Sequence, residues 1–185
     1  KPFFLNINVN LNDLSLINLV KQESLFMKLI RSDLFLNENL NLVINLSSGN
    51  ITDYRFLKNL LLKIELNQGL LIIKDTSLEF SEIASIKLLN GNFKTIDDSS
   101  LFNAEFDINI LDSDKLYRFF QTKKKYRKKI ENINFLISYD FLSESIRIER
   151  ISIDNETGDS VQNFVKIFNS QENRLKNRVD LRNFF

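Results

Sequence analysis

The sequence predicts a single, mainly β domain over residues 1–185, an antiparallel sheet with a few short helices covering its ends. Three observations carry this expectation. Apolar and polar residues alternate with a period of two through most of the chain, which sends all the apolar side chains of a strand to one face. The period lengthens to 3.6 in only three places, near residues 14–32, 112–121 and 157–170. Short clusters of Asn, Gly, Ser and Asp separate the alternating runs at the spacing of an antiparallel meander. Many of the polar positions are Asn, a poor strand former. An Asn costs up to about 1 kcal/mol against a good strand residue, whereas burying a Phe or Leu side chain gains roughly 1.5–3 kcal/mol, so burial decides wherever the two alternate.

The elements follow in order. Phe3, Leu5, Ile7, Val9 and Leu11 oppose Asn6, Asn8, Asn10 and Asn12 in a first strand, which Asp13 is expected to stop and whose successor it could cap. Leu16, Leu19 and Val20, then Phe26, Met27 and Ile30, recur at the spacing of one or two helices. A strand follows with Leu40, Leu42, Ile44 and Leu46 on one face, and Ser47-Ser48-Gly49-Asn50 reads as the turn that ends it. Leu60 to Leu66 and Leu70 to Lys74 flank Asn67-Gln68-Gly69 and predict a hairpin. Asp75 and Thr76 allow a bend before Leu78 and Phe80. Asn90-Gly91-Asn92 interrupts the run from Ile83 to Ile96 as either a bulge or a hairpin turn.

Asp97, Asp98 and Ser99 turn the chain into its central unit. There Phe102, Ala104, Phe106, Ile108 and Ile110 form a strand face, Asp112 or Ser113 caps a short helix with Leu116, Phe119 and Phe120 on one side, and Lys123 to Lys129 form a basic loop. Ile133, Phe135, Ile137, Tyr139 and Phe141 then alternate again. After a reversal at Leu142 to Ser145, Ile146 and Ile148 give way to Ile151 and Ile153, a change of phase that predicts a bulge near Glu149 and Arg150. Thr157 or Asp159 is placed to cap a last helix with Val161, Phe164, Val165 and Phe168 on one face, and Arg174 to Phe185 mixes basic and apolar residues beyond it.

Composition narrows the function classes. With 43% hydrophobic and 26% charged residues the chain is expected to fold, and a net charge of +1 argues against wholesale nucleic-acid binding. The absence of Cys and His removes thiolate chemistry, disulfides and Ser-His-Asp or Cys-His triads. Glycines at 49, 69, 91 and 158 stand too far apart for a phosphate-binding loop. The pairs Asp97 with Asp98 and Asp112 with Asp114 are read as turn and cap residues before metal ligands, and no metal site is expected. The basic run Lys123, Lys124, Lys125, Arg127, Lys128 and Lys129 is first a solvated loop between strands. Contact with anionic lipid, at roughly 1 kcal/mol per basic residue near a surface, ranks next and nucleic acid last. There is no run of about 18 apolar residues. The chain begins at Lys1 without a methionine and reads as part of a longer protein.

The segment FNAEFDINILDSDKLYRFFQ, joined to TKKKYRKKIENINFLISYDF, resembles the C-terminal part of AsmA-like bacterial envelope proteins. The resemblance reaches back through INVNLNDLSLINLV, NLVINLSSGNI and LLKIELNQGLLIIKDTSLEF and so covers most of the chain. A proline commonly precedes the loop lysines in that family, and Thr122 stands there in this sequence. The resemblance implies a non-enzymatic protein without a cofactor, anchored in the inner membrane outside this stretch and extending into the periplasm, related in architecture to the larger TamB-like and YhdP-like proteins. It implies a strongly curved sheet whose concave apolar face guides phospholipid between the inner and outer membranes or supports outer-membrane assembly. Phe102, Phe106, Ile108, Ile110, Phe135, Ile137 and Tyr139 would then face lipid acyl chains. The alternative is a structural or protein-interaction module of the envelope with a conventional packed core. A carbohydrate-active β-protein comes third, since only scattered carboxylates speak for it.

Overall fold

Alternation of period two leaves each strand with one oily face, and the strands bury it by aligning those faces in a single sheet. In the computed structural model, which describes residues 3–21, 23–30, 32, 37–96 and 99–170 and only the backbone of 95, 96, 99 and 100, eight strands form one open sheet in chain order. They are β1 (Phe3–Leu14), β2 (Leu40–Ile51), β3 (Leu57–Asn67), β4 (Leu70–Phe80), β5 (Ala84–Ile96), β6 (Ser99–Ile110), β7 (Asn132–Asp140) and β8 (Ser145–Ile153). The helices are α1 (Leu16–Val20), α2 (Leu25–Ile30), α3 (Ser113–Phe119) and α4 (Asp159–Ser170). The protein is therefore mainly β with a few helices. The expected turn at Asp97 and Asp98 and the segment Arg174 to Phe185 lie outside the described residues.

The sheet is mixed, and this corrects the expectation of an antiparallel one: β1 and β2 run parallel, while the other six pairs are antiparallel. Parallel neighbours need a crossover, and residues 15–39, with α1 and α2, supply it. The cap of α1 is Ser15, not Asp13. Its side chain accepts the Asn18 N–H at 3.0 Å and donates to the Asp53 carboxylate at 2.8 Å, while that carboxylate also accepts the Ile17 N–H at 3.0 Å.

A second correction concerns Ser47-Ser48-Gly49-Asn50, which does not end β2. Ser47 lies between Asn10 and Leu61, Ser48 between Leu11 and Leu60, and Asn50 between Asp13 and Lys58. Ladders on both sides outweigh the turn preference of these residues. The chain reverses instead after Ile51, where the Leu57 N–H donates to the Tyr54 carbonyl at 2.8 Å. The asparagines also find partners. The Asn45 carboxamide donates to the Asn8 side chain at 2.9 Å and the Ser47 hydroxyl to that of Asn10 at 2.6 Å, an amide ladder along the polar side of β1 and β2.

The β3–β4 hairpin turns where expected, with Gln68 at φ 50° and Gly69 at φ 79°, the paired positive values of a tight two-residue turn. Register slips mark bulges in four strands. Asn59 in β3 and Asp75 in β4 sit at two of them, with φ of 50° and 49°. In β5 the open choice resolves to a bulge, since Leu88 faces Phe106 and Asn90 faces Glu105, leaving Leu89 unpaired. In β8 Glu149 is the extra residue, as the change of phase predicts. Asp75 and Leu89 fall within the same interval, between the pairs Ile73–Gly91 and Thr76–Leu88.

Two apolar clusters hold the sheet. The larger joins Met27 and Ile30 of α2 to Leu42, Ile64, Leu66, Ile73, Leu88, Ala104 and Ile137. The smaller gathers Phe80, Ile83, Ala84, Ile110 and Leu116 beneath α3, where Phe80, Phe119 and Phe56 meet edge to face, Phe80 and Phe119 at 4.9 Å. A seven-residue helix is too short to stand alone in water. α3 is held by this knot and by Asp112, whose side chain accepts the Lys115 N–H at 2.8 Å. In α4, Val161, Phe164 and Val165 are half-buried and Phe168 is buried, the face expected, although the first helical bond runs from the Gln162 N–H to the Gly158 carbonyl, between the two candidate caps.

Gly91 leaves room for the Phe102 ring, for a Cβ there would stand 2.8 Å from that ring, itself 4.8 Å from that of Phe93. Gly91→Ala is expected to lower stability by about 1–3 kcal/mol, the usual cost of overpacking, and Phe102→Leu in the same chain to restore part of it. Urea denaturation of the single and double variants checks this.

Candidate functional site

The central unit lies on β6, α3, the basic loop and β7. Register brings Phe102 opposite Tyr139, Ala104 opposite Ile137, Phe106 opposite Phe135 and Ile108 opposite Ile133, so all eight share one side of the sheet. The Phe106 and Phe135 rings stack at 5.1 Å, and Tyr139 meets Phe141 edge-on at 4.8 Å. Exposure divides the seven expected lipid-facing residues. Ile110 and Ile137 are buried, at 9% and 8% exposure, as members of the two core clusters, whereas Phe102, Phe106, Ile108, Phe135 and Tyr139 are only half-buried. Burial pushes the Tyr139 hydroxyl above its ordinary range, and Glu144 and Asp140 add to this, so the ring presents a neutral edge.

The same apolar side continues onto residues that the sequence reading did not single out. Leu88 faces Phe106, Ile86 faces Ile108 and Phe93 faces Phe102. Their alternation was plain in the sequence, but β5 changes phase at its bulge, and only the register with β6 tells which positions lie beside Phe102 and Phe106.

The basic loop runs from the end of α3 at Phe119 to the start of β7 at Asn132, and together with α3 it connects β6 to β7. Gln121, at φ 56°, takes the left-handed conformation that closes α3, and the Thr122 N–H returns to the Tyr117 carbonyl at 2.9 Å. One 3-10 turn, Lys124–Tyr126, follows. The Arg127 guanidinium donates to the Thr122 carbonyl at 2.9 Å, the Tyr117 hydroxyl donates to the Lys128 carbonyl at 2.7 Å, and Ser113 bonds both backbone groups of Ile130. With its backbone pinned at these points, the loop exposes Lys123, Lys124, Lys125, Lys128 and Lys129 and leaves Arg127 half-buried. Lys129 pairs with Glu131 at 2.5 Å, and the Lys125 ammonium stands 4.7 Å from the Tyr126 ring centre. Among the described residues, Lys123, Lys124, Lys125 and Lys128 have no ion pair. Of the acidic pairs, Asp112 is a cap, and among the described residues no group of carboxylates is arranged to hold a metal ion.

The polar side of the sheet carries its own charge cluster. Glu65 in β3 bridges Lys74 at 2.7 Å and Lys63 at 2.9 Å, and hydrogen bonds from these two ammonium groups hold its carboxyl below the ordinary range. Comparison with family profiles, curated proteins and solved structures finds no match to this chain.

A carboxyl whose ionisation is favoured by folding stabilises above its unfolded pKa, and that contribution is lost as pH falls through the lower folded value. Stability should therefore decline with acid below about pH 4.5, the ordinary value for such a group, and Glu65→Gln should flatten that decline while costing little at neutral pH. Urea midpoints measured as a function of pH for the two proteins check this.

Proposed function

We propose that the chain is an AsmA-like envelope protein whose sheet holds phospholipid acyl chains, acting without catalysis as a conduit between the inner and outer membranes or in outer-membrane assembly. The observation that carries this reading is the row Phe102, Phe106, Ile108, Phe135 and Tyr139, large apolar side chains on an open sheet that pack against one another yet stay half-buried. From Phe102 to Ile108 the row runs about 20 Å at the rise of an antiparallel strand, longer than the roughly 15 Å of hydrocarbon in one membrane leaflet. It ends at the loop that exposes Lys123, Lys124, Lys125 and Lys128, so a lipid lying along β6 and β7 would have its chains on apolar residues and its head group near ammonium groups. Bulges in β3, β4, β5 and β8 favour a curved sheet, because a bulge bends its strand and increases its twist, and the proposed groove requires the apolar side to be the concave one.

On this reading the membrane anchor lies outside these residues and the described part stands in the periplasm. Among the described residues no helix is long and apolar enough to cross a membrane, which fits a body carried by an anchor elsewhere. The second reading, an envelope interaction module with an ordinary core, draws on the burial of Ile110, Ile137 and Ala104.

Phe106→Asp separates the two. In an open groove water reaches the new carboxylate, so the melting temperature falls modestly while lipid recovered with the protein, measured by mass spectrometry, is lost. In a packed core an unpaired buried charge costs several kcal/mol and the domain unfolds. Collapse of the melting temperature, with no lipid on the unaltered protein, would overturn the groove.

For the loop, co-sedimentation with vesicles containing anionic phospholipid is expected to weaken as salt rises, because exposed charges are screened over about 8 Å at physiological ionic strength. Replacing Lys123, Lys124 and Lys125 by Gln should remove that salt dependence. Binding indifferent to salt and to lipid charge would return the loop to a solvated connection.

A further inference from the structure

Where β6 ends, the apolar surface gives way to a charged one. An open cleft of about 590 Å³ lies between the start of α3 and the last residues of the basic loop, with Ile110, Leu111, Asp114, Tyr117, Arg127 and Lys128 among its walls. It carries both signs of charge. Asp112, Lys129 and Glu131 also border it, but these are engaged elsewhere: the Asp112 side chain caps α3, and Lys129 pairs with Glu131. Asp114, Arg127 and Lys128 have no ion pair among the described residues.

The backbone gathers these three groups around one space. Tyr117, one turn after Asp114 on α3, donates its hydroxyl to the Lys128 carbonyl at 2.7 Å and accepts the Lys128 N–H at 3.2 Å, so the side of α3 that carries Asp114 adjoins Lys128. The Arg127 Nε donates to the Thr122 carbonyl at 2.9 Å, which orients the guanidinium and leaves its terminal N–H groups without a carboxylate. Asp114 and Lys128 are exposed and Arg127 is half-buried. A simple anion here would be repelled by Asp114, and a simple cation by Arg127 and Lys128. A ligand that carries both charges is opposed by neither.

We infer that the cleft seats a zwitterionic phosphodiester head group bearing a primary amine, of the phosphoethanolamine kind, with Arg127 and Lys128 on the phosphate oxygens and Asp114 on the ammonium N–H groups. This deepens the groove reading and rests on it for the acyl chains. Ile110 stands two residues beyond Ile108 on the same side of β6, about 7 Å along the strand, so a head group in the cleft has the end of the apolar row beside it. Leu111, 61% exposed, adds apolar surface at the same place. A quaternary ammonium has no N–H to give Asp114 and a glycerol head group has no charge to meet it, so the amine is what the cleft selects. Lys123, Lys124 and Lys125 stand outside the cleft, so attraction to anionic surfaces and choice of head group reside in different residues.

Water-soluble dihexanoyl lipids, titrated into the full chain by calorimetry, separate these roles. The phosphatidylethanolamine is expected to bind about tenfold more tightly than the phosphatidylglycerol or the phosphatidylcholine, the worth of one charge-assisted hydrogen bond. A merely basic loop would give the opposite order and prefer the anionic phosphatidylglycerol. Asp114→Asn should abolish the preference without weakening the phosphatidylglycerol, Asp114→Glu should keep it, and Lys128→Gln should weaken all three lipids. Melting temperatures should stay nearly unchanged, because Asp114 and Lys128 are exposed. Glycerophosphoethanolamine, which has no acyl chains, tests the cleft apart from the groove and should bind in a manner that depends on Asp114. Equal affinity for this head group with and without chains would overturn the groove and leave the cleft, whereas lipid binding indifferent to the head group would overturn the cleft and leave the groove. The inference also falls if none of the probes binds, or if the preference survives in Asp114→Asn.

Discussion

The constraint on which the structure depends is that apolar residues must meet apolar residues across every strand pair. A slip of one residue in any ladder would turn a whole strand inside out. Ile64 opposite Ile73, Leu78 opposite Ile86, Leu88 opposite Phe106 and Phe106 opposite Phe135 are successive links in a continuous apolar side from β3 to β7. The bulges are part of the same constraint. At Asp75, Leu89 and Glu149 the apolar positions change from odd to even or back, and the extra residue restores them to the same side of the sheet.

The helices act locally within this frame. α2 places Met27 and Ile30 on the larger cluster, α3 closes the smaller one with Leu116 and the Phe119 ring, and α4 lies along β8. Between them the aromatic row of β6 and β7 keeps part of its surface accessible. The polar side stabilises by other means, with the Asn8–Asn45 and Asn10–Ser47 bonds and the Lys63–Glu65–Lys74 bridge lying on strands whose oily side carries most of the burial. Asparagine in these strands is thus a ladder of paired amides, and its low strand preference is offset by its neighbour across the sheet.

Much of the fold was legible in the residues because alternation and turn chemistry are local. The β3–β4 turn at Gln68-Gly69, the Asp112 cap, the Glu149 bulge and the α4 face all follow from spacing. What misled were residues whose local preference was overruled from a distance: Ser47 to Asn50 look like a turn and form a strand because β1 and β3 flank them. For the candidate site, the sequence marked the apolar positions of β6 and β7 and the basic loop. It could not separate Ile110 and Ile137, which are core, from Phe102 and Phe106, which are half-exposed, since all four occupy equivalent places in the alternation.

By itself, then, the sequence determined that the chain is mainly β, which residues of each strand are oily, where the three helical regions lie and that a basic loop follows α3, because each is set by neighbours within a few positions. The tertiary structure decided that β1 runs parallel to β2, that Ser15 and not Asp13 caps α1, that Phe93 and Leu88 stand beside Phe102 and Phe106, and that Asn169 of α4 occupies the outer backbone groups of Ile148 in β8. These depend on contacts between residues many tens of positions apart, and no local period carries the register or the coverage that such contacts impose.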